Sequence, residues 1–197
     1  SPFPTILIYD SPSLQKKAIE IFVKNEFEKP KKIKFEKIKN KKIKIGYYSS
    51  DFHNHATMYL MANLFELHDK NKFEIYAYSF GPDDGSKIRK RVMKTFDKFF
   101  DVKLKTTKEI VQHSRELNLD IAVDLKGFTN NNRFDLFIER CAPIQISYLG
   151  FPGTTGSDCI DYLIADKIVI PEENKNYYSE NIIYLPNSYQ VNDSKPD

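Results

Sequence analysis

Apolar and polar positions begin to alternate at Ile43. Ile43, Ile45 and Tyr47 are separated by Lys44 and Gly46, and polarity then rises abruptly at Ser49-Ser50-Asp51. Such a run predicts a buried strand entering a turn. Beyond the turn, Met58, Leu60, Met61, Leu64 and Phe65 carry apolar side chains at helical spacing. The pattern then repeats. It predicts a helix over 58–68, a strand over 73–80, a turn at 81–85 and a helix over 88–96. A short apolar segment over 99–102 comes before a helix over 108–117, capped by Thr106 or Thr107. Strands follow over 120–125, 144–149, 162–166 and 182–185, with a short helix over 133–140. Helices placed between strands imply parallel pairing with right-handed crossovers. The expected fold is α/β, a Rossmann-like three-layer α/β/α domain with a mainly parallel sheet.

Residues 1–28 read as a separate helical segment. Leu14, Ala18, Ile21 and Phe22 share one face, and Pro12 sits near the start. That face is expected to dock on a partner surface, either the following lobe or another part of a longer chain. Residues 29–42 form a lysine-rich connector, and residues 43–197 form the lobe. The chain begins at Ser1 and ends in a polar tail, as expected of a fragment of something longer.

Composition changes this picture little. The chain is 41% hydrophobic and 29% charged, which suits a soluble globular protein, and no apolar run is long enough to span a membrane. Basic and acidic residues nearly balance, 30 against 27, but the excess is concentrated in residues 29–44. That run fits an anion or nucleic-acid patch, or a solvated linker. The linker is the better reading, because lysine rather than arginine dominates and no RNA-binding signature accompanies it. Cys141 and Cys159 are far apart and make neither a metal cluster nor a disulfide framework, which fits reduced thiols in a cytoplasmic protein.

Three polar loops follow strands, at 49–57, 126–133 and 150–156, and parallel strands would bring all three to one sheet edge, where ligands bind. The first holds Asp51, His53, Asn54, His55 and Thr57. His55 fits a general base or a donor to a sugar or phosphate oxygen, with Asp51 orienting it; it equally fits a histidine capping a helix start. His53 and His55 make a weak metal pair, with no third ligand near in sequence. The glycines of Gly150-Phe151-Pro152-Gly153-Thr154-Thr155-Gly156 permit close backbone approach to a ligand, but no lysine follows as in a phosphate loop, and by composition an ordinary turn is the better reading. Arg133 fits a carboxylate or backbone clamp, or a surface arginine at a helix start. Asp124 ends a buried strand and needs a partner.

The stretches IGYYSSDFHNHAT, YSFGPDDGSKIRKR, VDLKGFTNNNR, APIQISYLGFPGTTG, DYLIAD and YLPNSYQVND stand in the order found in the protein O-GlcNAc transferases and SPINDLY-like proteins. The chain resembles that family, glycosyltransferase family 41, over nearly its whole length. The resemblance implies the amino-terminal lobe of an inverting, metal-independent GT-B enzyme that moves a sugar, GlcNAc foremost, from a UDP-sugar to Ser/Thr hydroxyls of protein. It implies no cofactor beyond the UDP-sugar substrate. Partners would be an acceptor protein, the missing carboxyl-terminal lobe and a preceding TPR-type region joined through residues 1–28. The fragment alone would be inactive. A family relative with another sugar or acceptor, or a non-catalytic interaction lobe, is the alternative.

Carried over by motif, His55 and Asp51 match catalytic positions. Thr57, Leu149 and Gly150 match the donor side, and Thr129, Arg133 and Asn54 the acceptor side. Ala56 stands where the animal enzymes have proline, Lys126 where they have asparagine, and Asn130 where they have lysine. Residues 1–52 contain no histidine, although the animal enzymes have one before the first helix.

Overall fold

The computed structural model describes residues 2–8, 10–36 and 39–195. Two helices, α1 (Phe3–Ile8) and α2 (Pro12–Glu26), precede the sheet. The lobe then runs β1 (Ile43–Ser49), α3 (Ala56–Glu66), β2 (Phe73–Ser79), α4 (Lys87–Thr95), β3 (Lys98–Asp101), α5 (Thr107–Glu116) and β4 (Ile121–Asp124). It continues through α6 (Asp135–Ile138), β5 (Ile144–Tyr148), β6 (Tyr162–Ala165), a 3₁₀ turn (Glu172–Tyr177) and β7 (Asn181–Tyr184).

The seven strands lie in the order β3-β2-β1-β4-β5-β6-β7, and every neighbouring pair is parallel. The fold is therefore the expected Rossmann-like α/β sheet. Its strand order reverses between β1 and β4. Helix α3, after β1, packs Met58, Met61 and Phe65 on one sheet face. Helix α6, after β4, packs Leu136, Phe137 and Ile138 on the other. Chains leaving adjacent strands toward opposite faces open a crevice between them, the usual ligand position in such sheets.

Local chemistry explains the helix starts. Thr106 and Glu109 form a reciprocal capping box on α5, and Ser86 caps α4 by accepting from the Arg89 amide. One sheet face is covered by α2, α5 and α6, the other by α3 and α4. Tyr189 and Val191 of the carboxyl-terminal segment also pack on the second face. That segment is anchored by Arg91, which bridges Glu66 and Asp193, while Lys195 also reaches Glu66. The Arg91 and Lys195 hydrogen bonds hold the Glu66 carboxyl down to about 2.

Helix α2 corrects the expected face. Ile19 and Val23 are the buried residues, with Phe22 beside them, whereas Leu14 and Ile21 point outward. The helix carries two apolar stripes, and periodicity alone does not say which one faces the sheet. The buried stripe docks on the following lobe: Phe22 and Phe27 meet Phe128 with centroid distances of 5.4 and 6.3 Å. The lysine-rich connector is tied to the amino-terminal edge of the sheet, opposite the three loops. Asn40 and the Lys44 amide both donate to Asp120, just before β4. Lys37 and Ile38 of the connector lie outside the described residues.

Candidate functional site

The loops after β1, β4 and β5 emerge at one edge, from three strands that are neighbours in the order β1-β4-β5. They are in direct contact. Lys126 spans the crevice from the β4 loop and places Nζ 2.9 Å from Asp51 Oδ1 and 2.7 Å from Asp51 Oδ2. Both side chains are buried. On the next strand, a Cβ on Gly150 would overlap the Leu125 carbonyl, so the β5 loop rests directly on the end of β4. On the other side, a Cβ on Gly81 would overlap the Ser50 carbonyl, so the β2 loop presses on the β1 loop.

The first loop is built around its own hydrogen bonds. The Ser49 hydroxyl accepts from the Asp51 amide at 2.9 Å, and Ser50 Oγ donates to Asp51 Oδ1 at 3.0 Å. His55 is the N-cap of α3: its Nδ1 accepts from the Thr57 amide at 3.2 Å. The same Nδ1 lies 3.2 Å from Thr57 Oγ1 and 3.6 Å from Asp51 Oδ2. At that separation the Asp51 contact is an electrostatic one, and the carboxylate's hydrogen-bonded partners are Lys126 and Ser50. His53 lies 4.0 Å from Asp84 on the β2 loop. The Asn54 amide donates to Asp84 at 2.8 Å, and this bond is the main reason the Asp84 carboxyl is held down to about 2. The Tyr59 hydroxyl donates to Asn54 Oδ1 at 2.9 Å.

Arg89 locks these loops from below. Its guanidinium is buried and donates to the Phe52 carbonyl at 2.7 Å. Nε lies 3.0 Å from Asp83, without the alignment of a hydrogen bond, and the group stacks on Phe99 at 5.1 Å. Nothing in the alternation of apolar residues marks Arg89; it is a polar residue on an amphipathic helix whose apolar stripe hides it.

The β4 loop is organised by Asp124. Its carboxylate accepts from the Lys126 amide at 2.8 Å and the Gly127 amide at 3.0 Å, which supplies the partners a buried acid at a strand end requires. Burial still pushes its carboxyl up to about 6. Thr129 Oγ1 donates to the Lys126 carbonyl at 2.8 Å. Arg133 turns toward the start of α5, donating to the Lys105 carbonyl at 2.9 Å and Thr107 Oγ1 at 2.7 Å.

In the β5 loop Leu149 has a left-handed backbone, φ 65°. The space a side chain would need at Gly153 and Gly156 is taken by Ile6 and Ile19. These glycines admit α1 and α2, not a ligand. Thr154 and Thr155 are bound by the buried Glu180, which accepts from Thr154 Oγ1 at 2.8 Å, from the Thr155 amide at 2.6 Å, and from the Thr155 hydroxyl. Glu180 stands just before β7 and no sequence signal marks it.

Of the candidate residues, Asp51, His55 and Thr57 form one hydrogen-bonded and ionic cluster at the crevice, which Lys126, not among the candidates, completes. Leu149 and Gly150 border it through Leu125. Asn54 lies on the β2 side, and Thr129 and Arg133 are turned into their own loop and α5. Among the described residues no group of three His, Cys, Asp or Glu side chains is placed to hold a metal ion. Among the described residues no helix is long and apolar enough to cross a membrane.

A family profile described as glycosyl transferase family 41 matches residues 11–196. The chain is 38% identical over 155 residues to the probable UDP-N-acetylglucosamine–peptide N-acetylglucosaminyltransferase SEC of Arabidopsis thaliana, covering 79% of this chain and 16% of that protein. It is 31% identical over 153 residues to the UDP-N-acetylglucosamine–peptide N-acetylglucosaminyltransferase of Caenorhabditis elegans, covering 77% and 13%. Among solved structures it is similar to a mutant O-GlcNAc transferase of Thermobaculum terrenum, with a TM-score of 0.85 and 26% identity over 93% of this chain and 35% of that one. The chain thus spans only a small part of the length of these curated relatives.

Proposed function

Because the chain belongs to glycosyl transferase family 41, we propose that it forms the amino-terminal wall of the catalytic cleft of a GT-B transferase that moves N-acetylglucosamine from UDP-GlcNAc to a peptide hydroxyl. The observation that carries the reading is the convergence of the β1, β4 and β5 loops at the point where strand order reverses, with His55 standing over the Asp51–Lys126 pair.

The geometry supports a role for each group. An inverting transfer needs the acceptor hydroxyl in line behind the anomeric carbon while the departing diphosphate is stabilised from the other side. This lobe would supply the acceptor-facing wall, and a carboxyl-terminal lobe most of the nucleotide contacts. Donor and acceptor are both substrates here, and no resident metal is invoked. His55 accepts the Thr57 amide at Nδ1, so its neutral ring carries the proton on Nε2. In that state it donates to an oxygen of the sugar, the phosphate or the acceptor; it does not take a proton from one. Thr57, Leu149 and Gly150 would border the donor. Asn54 would meet the acceptor, with Thr129 and Arg133 shaping that side through the backbone they hold.

We further propose that residues 1–28 join the lobe to a preceding helical region, of TPR type in the resemblance. The outward stripe of Leu7, Ile8, Leu14 and Ile21 supports this.

The test is transfer of labelled GlcNAc from UDP-GlcNAc to a protein or peptide by the full-length protein, with mass spectrometry of the product. Wild-type transfer that His55→Ala abolishes supports the reading. Absent wild-type transfer would favour a non-catalytic interaction lobe, and another sugar on the product would move the protein elsewhere in the family. The isolated fragment should be inactive, and turnover by residues 1–197 alone would refute that part.

A further inference from the structure

We propose that Lys126 is a positioning residue that fixes the hydrogen-bonding role of His55 by way of Asp51. One carboxylate oxygen, Asp51 Oδ2, stands between the two: it is 2.7 Å from Lys126 Nζ and 3.6 Å from His55 Nδ1. The second oxygen also accepts from Lys126, at 2.9 Å, and from Ser50. The ammonium therefore takes both oxygens, and the carboxylate has little pull left for the imidazole. Lys126 has little freedom to leave. Its side chain is 6% exposed, its amide is bound by Asp124, and its carbonyl accepts from Thr129. The other charged or titratable groups near this pair are Asp124 beneath Lys126 and His53 with Asp84 beside His55, the two imidazoles being 5.7 Å apart.

The consequence follows from what a backbone amide can do. The Thr57 N–H can only donate, so Nδ1 carries a lone pair and the ring proton sits on Nε2. Without the ammonium, Asp51 becomes a buried carboxylate with His55 as its remaining ion-pair partner among the described residues, and such a charge draws a proton to itself or to a neighbour. Nδ1 then becomes an N–H donor to Asp51. Its proton comes either from Nε2 by exchange through water, giving the other neutral tautomer, or from solvent, giving imidazolium. Either way the cap on Thr57 is lost, because two N–H groups would face each other. Lys126 thus keeps His55 in the neutral form that accepts at Nδ1 and donates at Nε2.

The consequence for a sugar or acceptor oxygen rests on the transferase reading, whereas the tautomer does not. Long-range ¹H–¹⁵N spectra of the full-length protein labelled at histidine, recorded at about pH 8, above the ordinary imidazole range, read the tautomer directly. Wild type and Lys126→Arg should show His55 protonated at Nε2. Lys126→Met should show the Nδ1–H form or imidazolium, and Asp51→Asn combined with Lys126→Met should restore Nε2–H. Lys126→Gln removes the charge while keeping a donor, and serves if the methionine variant does not fold. Retention of the neutral Nε2–H tautomer in a folded Lys126→Met or Lys126→Gln protein, or Nδ1–H in wild type, would overturn the proposal. In parallel, GlcNAc transfer should fall by about a hundredfold or more in a Lys126→Met protein that holds the Nδ1–H tautomer, the scale of losing one well-placed donor, and survive in Lys126→Arg. No transfer in wild type with the tautomers as expected would sink the transferase reading and leave the Lys126 assignment standing.

Discussion

Lys126 and Asp51 are 75 residues apart in sequence and share two hydrogen bonds across the one crevice in the sheet where strand order reverses. Both are buried, so the energy of the pair is set by desolvation as much as by attraction. Removing one partner strands a charge and should cost about 3–5 kcal/mol, while replacing both with apolar groups removes the problem. Lys126→Met and Asp51→Leu should each lower stability by that order in urea unfolding, and the double variant should lie within about 2 kcal/mol of wild type. Additive losses would show that each side chain acts through other contacts.

Asp124 gives the site a pH signature. Burial raises its folded carboxyl from 3.8 to about 6, against the lowering effect of the Lys126 and Gly127 amides. Between these values the folded protein holds a proton that the unfolded chain has released. The contribution is therefore full at the acid end and lost as pH rises through about 6. Its size is on the order of 3 kcal/mol, because each tenfold gain in proton affinity on folding is worth about 1.4 kcal/mol. Wild-type stability measured against Asp124→Asn should fall by about that much between about pH 4 and about pH 7. A difference that does not vary with pH would contradict the burial argument.

The strands and the edge they share were legible because a buried parallel strand is a run of apolar residues ending in a polar turn, and 43–49, 73–79 and 144–148 show that plainly. The buried face of α2 was not, because Leu14 and Ile21 compete with Ile19 and Val23 as apolar stripes. His55 was legible as a helix-capping or functional histidine, and the structure shows the cap in place. The Lys126–Asp51 pair was invisible, since nothing local records a contact over that separation. Glu180 was hidden for the same reason: its partners Thr154 and Thr155 sit in a glycine loop whose composition reads as an ordinary turn before a ligand loop and says nothing of a distant carboxylate.

That loop is held by a carboxylate. Glu180 takes three donors from two consecutive threonines, and hydrogen bonds to a buried charged group contribute roughly 1.5–3 kcal/mol each before coupling is considered. Glu180→Ala should destabilise the protein by about 3 kcal/mol in urea unfolding, with Glu180→Gln intermediate because its amide nitrogen cannot accept. Hydrogen exchange at residues 153–156 should accelerate in both variants. Unchanged exchange there would show that packing of Ile6 and Ile19 alone holds the loop.

Gly150 tests whether the loops act as one wall. Its missing Cβ is what lets the β5 loop lie on the Leu125 carbonyl, and the Cα of Lys126 lies just beyond that carbonyl, 3.3 Å from where a methyl group would begin. Gly150→Ala must therefore move backbone, and the backbone it moves carries the ammonium that holds Asp51. Overpacking of this kind costs about 1–3 kcal/mol. A loss of GlcNAc transfer larger than the loss of folded protein should accompany it, because the displacement travels to His55 through the pair. Gly85→Ala is the control: Gly85 has a left-handed backbone, φ 64°, yet nothing lies within 4 Å of an added methyl. It should cost about 1 kcal/mol from strain and leave transfer by the folded fraction unchanged. Equal effects of the two substitutions on transfer would mean that the enzyme responds to stability alone, and that the contact between the β4 and β5 loops carries no positional information to the site.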